Sequence, residues 1–136
     1  MTTRRKTIFG EIKNADELLA CIKSYIPDED FKLQYHRLGI NLERNSIVSL
    51  KILETIKDID YLQHYMIGGI YLNKYTDGKM YAPMHNHRKQ KTNDGIVFPT
   101  HQFIISLGGT RMFKIGKKEV NMKHGDTVLF GTSSSW

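Results

Sequence analysis

From Tyr65 onward the chain breaks into short runs rich in Ile, Val, Phe and Tyr, separated by Gly, Asn and Asp. β-branched and aromatic residues between turn formers are the pattern of strands, and the stretch is long enough to hold several. Strands are expected near 66–75, 80–87, 101–107, 111–115 and 126–130. Leu107-Gly108-Gly109-Thr110 and Ile115-Gly116-Lys117 read as hairpin turns, where glycine supplies the positive φ that other residues resist. Lys89 to Gly95 is polar and reads as a loop. The second half of the chain must therefore build sheets.

The first half has a different period. Asn14-Ala15-Asp16-Glu17 places an N-cap residue three positions before a glutamate, and Leu18, Leu19, Ile22 and Ile26 then fall on one helical face. Pro27 stops that helix. Cys21 lies inside it without a cationic neighbour at helical spacing, which suits a small core filler better than a nucleophile. Phe31 to Leu38 reads as an edge strand. A second helix runs from about Ser46 to Lys57, its buried stripe marked by Ile52, Ile56 and Ile59. Two helices followed by a meander of strands give a mixed α+β domain, with the helices packed on a jelly-roll-type pair of sheets. At 136 residues the chain has room for one domain, 1–136.

Bulk properties narrow the surroundings. No apolar run approaches the roughly 20 residues of a membrane span, and no apolar stretch follows the charged start Arg4-Arg5-Lys6. A single cysteine gives no internal disulfide. The expected compartment is cytoplasmic or nuclear, with no membrane partner. The 20 Lys and Arg outnumber the 14 Asp and Glu, giving +6, and this favours anionic partners such as nucleic acid. A generically solvated surface would carry the same excess. The positive charge clusters at Arg4-Arg5-Lys6, at Arg88-Lys89-Gln90-Lys91 and from Lys114 to Lys118.

Chemistry concentrates between Asn73 and His87. Side chains alternate along an extended segment, so Asn73 and Tyr75 share a face, and His85 and His87 share another. Imidazole suits Fe, Zn, Ni and Cu alike, so the pair does not select a metal. Two histidines on one strand also suit a polar groove without metal, and Tyr75 also suits a core aromatic. His124, in Lys123-His124-Gly125-Asp126, reads as a turn residue. His36, His64 and His101 have no partner at informative spacing and read as structural.

Taken in order, these segments resemble the AlkB-like branch of the Fe(II)/2-oxoglutarate dioxygenases. That family carries N-x-Y, then D-G, then H-x-D. This chain carries Asn73-Lys74-Tyr75, Asp77-Gly78 and His85-Asn86-His87. The family's S-x-G-x-x-R-x-F strand is matched by Ser106-Leu107-Gly108-Gly109-Thr110-Arg111-Met112-Phe113, and its H-G-[DS] turn by His124-Gly125-Asp126. Arg4-Arg5-Lys6-Thr7-Ile8-Phe9-Gly10-Glu11 is similar to the family's basic-aromatic-glycine segment near the substrate lid. The likeness is strongest from Tyr65 to Gly131, and the ordered series carries it where no single motif would.

The resemblance implies a double-stranded β-helix and oxidation of an alkyl group, commonly on a nucleic-acid base, coupled to decarboxylation of 2-oxoglutarate. It implies Fe(II) and 2-oxoglutarate as cofactors, with Asn73 and Tyr75 in the 2-oxoglutarate pocket and His85 on the metal. His87 stands where the family has a carboxylate and is the second candidate ligand. In the family a further metal histidine and a carboxylate-gripping arginine lie on strands beyond the position of Trp136. The expectation for this chain is therefore an incomplete site lacking the family's C-terminal strands. Two rivals come from the residues. A cupin-like metal domain also uses H-x-H on a strand, but expects a glutamate where Arg88-Lys89-Gln90-Lys91 stands. A non-catalytic scaffold binding nucleic acid or protein fits the charge alone.

Overall fold

The computed structural model describes residues 7–34, 37–76, 90–92, 95–97 and 101–131, with the backbone alone at 34, 90–92 and 95–97. It is a mixed α+β structure of two helices and several antiparallel sheets. The described strands form two three-stranded and two two-stranded sheets and do not close into a barrel. They divide into two compact units, one drawn from residues 7–16 and 101–131, the other from residues 17–76.

The second of these units holds both helices. Helix α1 (Ala15–Tyr25) starts directly after Asn14 and ends before Pro27, as the sequence predicts. Helix α2 (Ile47–Ile56) is capped by Ser46, whose Oγ accepts from the Ser49 amide at 3.2 Å. The cap is tied further. The Ser46 hydroxyl donates to Ser49 Oγ, which itself donates to the Glu43 carbonyl at 2.6 Å, and Ser49 is fully buried. Ser46→Ala removes the cap and one partner of a buried hydroxyl. It is expected to lower stability by about 1–2 kcal/mol, read from the denaturant midpoint. A change below about 0.3 kcal/mol would show that the cap does not stabilise α2.

Three strands complete this unit: β2 (Lys32–Gln34), β3 (Arg37–Leu42) and β4 (Ile70–Lys74). They pair antiparallel in the order β2-β3-β4. The single edge strand expected over Phe31 to Leu38 is thus two strands, β2 and β3, that pair antiparallel with each other. Neither glycine nor proline occurs between Phe31 and Leu38, so no turn signal divides the run. Ile40, Leu42, Ile70 and Leu72 form one face of the sheet. They pack against Cys21 and Ile22 of α1, Ile26 just after it, and Val48, Ile52 and Leu53 of α2. Cys21 is a partly buried core filler, in keeping with its expected role. Ile59, expected on the buried stripe of α2, lies beyond the helix and leads into a 3-10 turn over Asp60–His64.

The other unit is built of strands. β1 (Ile8–Glu11), β7 (His101–Ile105) and β10 (Asp126–Gly131) form an antiparallel sheet with β10 in the centre. Thr127, Val128, Leu129 and Phe130 are all buried, so β10 is covered on both faces. β8 (Arg111–Ile115) and β9 (Lys118–Met122) make a hairpin through Gly116, whose φ of 56° is the positive value expected there. Phe113, Ile115, Val120 and Met122 of that hairpin pack against Ile104, Val128 and Phe130. A two-layered β core results.

Two expectations need correction here. Gly108 has the expected positive φ of 87°, yet Leu107–Thr110 is not a hairpin turn. β7 pairs with β10 and β8 with β9, so the chain changes sheet at this point. The loop expected over Lys89 to Gly95 contains β5 (Gln90–Thr92) and runs into β6 (Gly95–Val97), which pair with each other. The strand expected over 80–87 lies outside the described residues. No described helix is long and apolar enough to cross a membrane.

Candidate functional site

The face of the β2-β3-β4 sheet turned away from the helices is polar. Strand alternation sends Ile40, Leu42, Ile70 and Leu72 into the core and leaves Arg37, Gly39, Asn41, Tyr71 and Asn73 on the opposite side. Tyr75, the expected partner of Asn73, is half-buried and follows directly after β4. Cross-strand pairing sets Asn73 opposite Gly39 and Tyr71 opposite Asn41. The Tyr71 ring leans over Gly39, where a Cβ would lie 2.8 Å from its Cε1 and Cζ. Only glycine leaves room for the ring in that position.

Arg37 donates from Nε to the Asn73 Oδ1 at 2.9 Å. This use of the amide settles what the pair can offer. With its oxygen engaged, Asn73 presents its NH₂ group, and the guanidinium presents its terminal NH₂ groups. Lys74, on the opposite side of the same strand, is instead paired with Asp28 and set over the Phe31 ring at 5.2 Å. The two sides of β4 thus differ sharply. One cation is balanced by an acid, and the other is held by a neutral amide.

Sequence reasoning missed Arg37. It lies near the end of the expected edge strand, and 36 residues separate it from Asn73. The register that joins them depends on pairing of β3 with β4, which no local pattern announces. His85 and His87 lie outside the described residues. The described residues contain no group of three His, Cys, Asp or Glu side chains arranged to hold a metal ion.

His124 is a turn residue, as expected, and its role can be stated. The Gly108 amide donates to His124 Nδ1 at 2.8 Å, so the ring proton of the neutral form sits on Nε2 and faces Asp16 Oδ1 at 2.7 Å. Gly125 beside it donates to the Ser106 carbonyl at 2.7 Å and accepts from the Ile12 amide at 2.9 Å. Asp126 Oδ2 accepts from the Lys123 amide at 2.8 Å. The His-Gly-Asp turn thus ties together the exit of β1, the end of β7 and the start of β10. His64 is exposed and His101 lies on β7; His36 lies outside the described residues.

Of the three basic clusters, only Lys114 to Lys118 has its side chains described. Lys114 stands opposite Glu119 across the hairpin, and Lys118 sits over the Phe9 ring at 4.9 Å. Positive charge there is interspersed with an acid and an aromatic ring. No protein-family model, curated protein or solved structure matches the chain.

Proposed function

We propose that this chain is an AlkB-like Fe(II)/2-oxoglutarate dioxygenase domain built on a double-stranded β-helix. In this reading Asn73 and Tyr75 hold 2-oxoglutarate, His85 and His87 hold the metal, and an alkylated nucleic-acid base is the substrate class. The observation that carries it is the polar face of β3 and β4. There Asn73 of the N-x-Y motif shares a side with donor groups and no acid, among the described residues, and Tyr75 of the same motif follows directly after the strand. The two-layered β core and the His-Gly-Asp turn that leads into β10 accord with the same ordered series of motifs.

The donor set fits the cofactor. A dicarboxylate offers acceptors only, and an amide NH₂ and a phenol supply donors without adding repulsive negative charge. Asn73 would orient the anion from β4, with its amide plane held by Arg37. Tyr75 would donate from the following position. A divalent metal, when bound, supplies a common binding point for O₂ and the 2-oxo acid. Two imidazoles leave that ion less neutralised than a set containing a carboxylate would, so the 136-residue chain is expected to hold it loosely.

The test is metal retention and ligand binding by the same preparation. Fe(II) or Mn(II) is loaded without oxygen, excess is removed, and metal is quantified beside a 2-oxoglutarate titration. His85→Ala and His87→Ala are each expected to lower retained metal at least about 10-fold, against the affinity scale of a lost ligand. Little or no succinate is expected from the 136-residue chain. Metal content unchanged by His85→Ala would refute the metal assignment. Succinate release abolished by that substitution would show a more complete site than proposed.

A further inference from the structure

We infer that the polar face of β3 and β4 is a small-carboxylate site anchored by Arg37. Resting on the reading above, the carboxylate is one end of 2-oxoglutarate. Arg37 belongs to none of the motifs that suggested the family, and its assignment comes from geometry alone.

The hydrogen-bonding atoms already engaged decide what this pair can bind. Arg37 spends Nε on the amide oxygen of Asn73, the bond found for its side chain among the described residues. Its two terminal NH₂ groups form the outer edge of a planar fork. The same bond takes up one of the two lone pairs on the Asn73 oxygen and orients its two amide hydrogens outward from the pair. Donors therefore outnumber acceptors on the pair, and a ligand rich in acceptors is the complement. Charge points the same way. The positions sharing this face on β3 and β4 are Gly39, Asn41 and Tyr71, so no acid there neutralises the guanidinium. An arginine with no acid beside it among the described residues, yet tied by one hydrogen bond, has already lost part of the side-chain freedom that binding would cost. The fork matches the two oxygens of a carboxylate. Gly39 contributes by letting the Tyr71 ring lie over the strand, which walls the site on one side.

The test measures dissociation constants of 2-oxoglutarate and succinate by calorimetry on the 136-residue chain, metal-free and with Mn(II). Inorganic phosphate serves as competitor. Arg37→Gln is expected to weaken both dicarboxylates at least about 10-fold, the loss of one charge-assisted pair. Arg37→Lys keeps the charge without the fork and is expected to weaken them about threefold. Asn73→Ala removes a donor and releases Arg37, so the double variant Arg37→Gln, Asn73→Ala should be little worse than either single one. Thermal unfolding of each variant separates a lost site from a lost fold. If Arg37→Gln does not fold, Arg37→Lys decides, and unchanged affinity in it overturns the proposal. Unchanged affinity in a folded Arg37→Gln overturns the role of Arg37 while leaving the dioxygenase reading intact. No dicarboxylate binding by the wild-type chain with Mn(II) overturns both. Phosphate binding more tightly than either dicarboxylate would replace the ligand class and so refute the proposal.

Discussion

Replacing Phe130 by alanine is expected to cost about 3–5 kcal/mol, the range for a large aromatic removed from a packed interior. Phe130 has no exposed surface, and neither does Val128 two residues earlier on the same face of β10. Its ring lies 5.7 Å from that of Phe113 at 49°, a tilted arrangement that favours aromatic pairs. It therefore joins the β7-β10 layer to the β8-β9 hairpin, and the hairpin's face has little else of its size to pack on. Typical domains have only about 5–15 kcal/mol of stability, so the variant should lie near its unfolding threshold at room temperature. Phe130→Leu keeps most of the volume and should cost about 1–1.5 kcal/mol. Urea unfolding followed by circular dichroism measures both. A Phe130→Ala loss below about 1 kcal/mol would mean that the two layers do not pack as described.

The elements that could be read from sequence are those whose signals are local. Ser46 and the apolar spacing after it mark α2, and Asn14 with Pro27 brackets α1. Gly116 marks the β8-β9 reversal, because its backbone conformation is nearly reserved for glycine. Arg111–Ile115 and Asp126–Gly131 stand out as apolar or alternating runs. β9 does not, since Lys118, Glu119 and Asn121 surround its two inward residues, Val120 and Met122. The division into β2 and β3 escaped because no glycine or proline interrupts the run from Phe31 to Leu38. The change of sheet between β7 and β8 escaped for a different reason. A glycine fixes the conformation of a turn but says nothing about which strand the chain will pair with next.

The candidate site divides along the same line. The expectation that Asn73 and Tyr75 share a face comes from the two-residue period of a strand, a purely local signal. That Arg37 meets Asn73 follows from a register between strands, set by Ile40, Leu42, Ile70 and Leu72 burying together. The most informative bond on that face is thus fixed by apolar residues on the other side of the sheet. His124 shows the converse. Its motif invites a functional reading, while its two ring nitrogens are occupied by Gly108 and Asp16.

Gly125→Ala is expected to destabilise the chain by about 2–3 kcal/mol, and the contrast with Gly116 explains why. Both glycines have positive φ, 91° at Gly125 and 56° at Gly116, so a side chain at either meets a backbone cost of about 1–2 kcal/mol. Around Gly116 a new Cβ meets nothing within 4 Å, and the backbone cost is the whole effect. At Gly125 the Cβ would lie 3.2 Å from the Ala15 Cβ and 3.5 Å from the Ile12 carbonyl. Those neighbours cannot retreat freely. The Ile12 amide is bonded to the Gly125 carbonyl, the Gly125 amide to Ser106, and Ala15 is buried at the start of α1. Moving the turn to relieve the clash would stretch both bonds. Gly116→Ala should therefore cost about 1 kcal/mol and Gly125→Ala at least twice that, by equilibrium denaturation. His124→Ala provides the comparison inside the turn, since it removes two hydrogen bonds and leaves the backbone unstrained, and about 1–2 kcal/mol is expected. Equal losses at Gly116 and Gly125 would show that the His-Gly-Asp turn can shift without disturbing β1 and β7. In that case its tight bonding would not be what positions the start of β10.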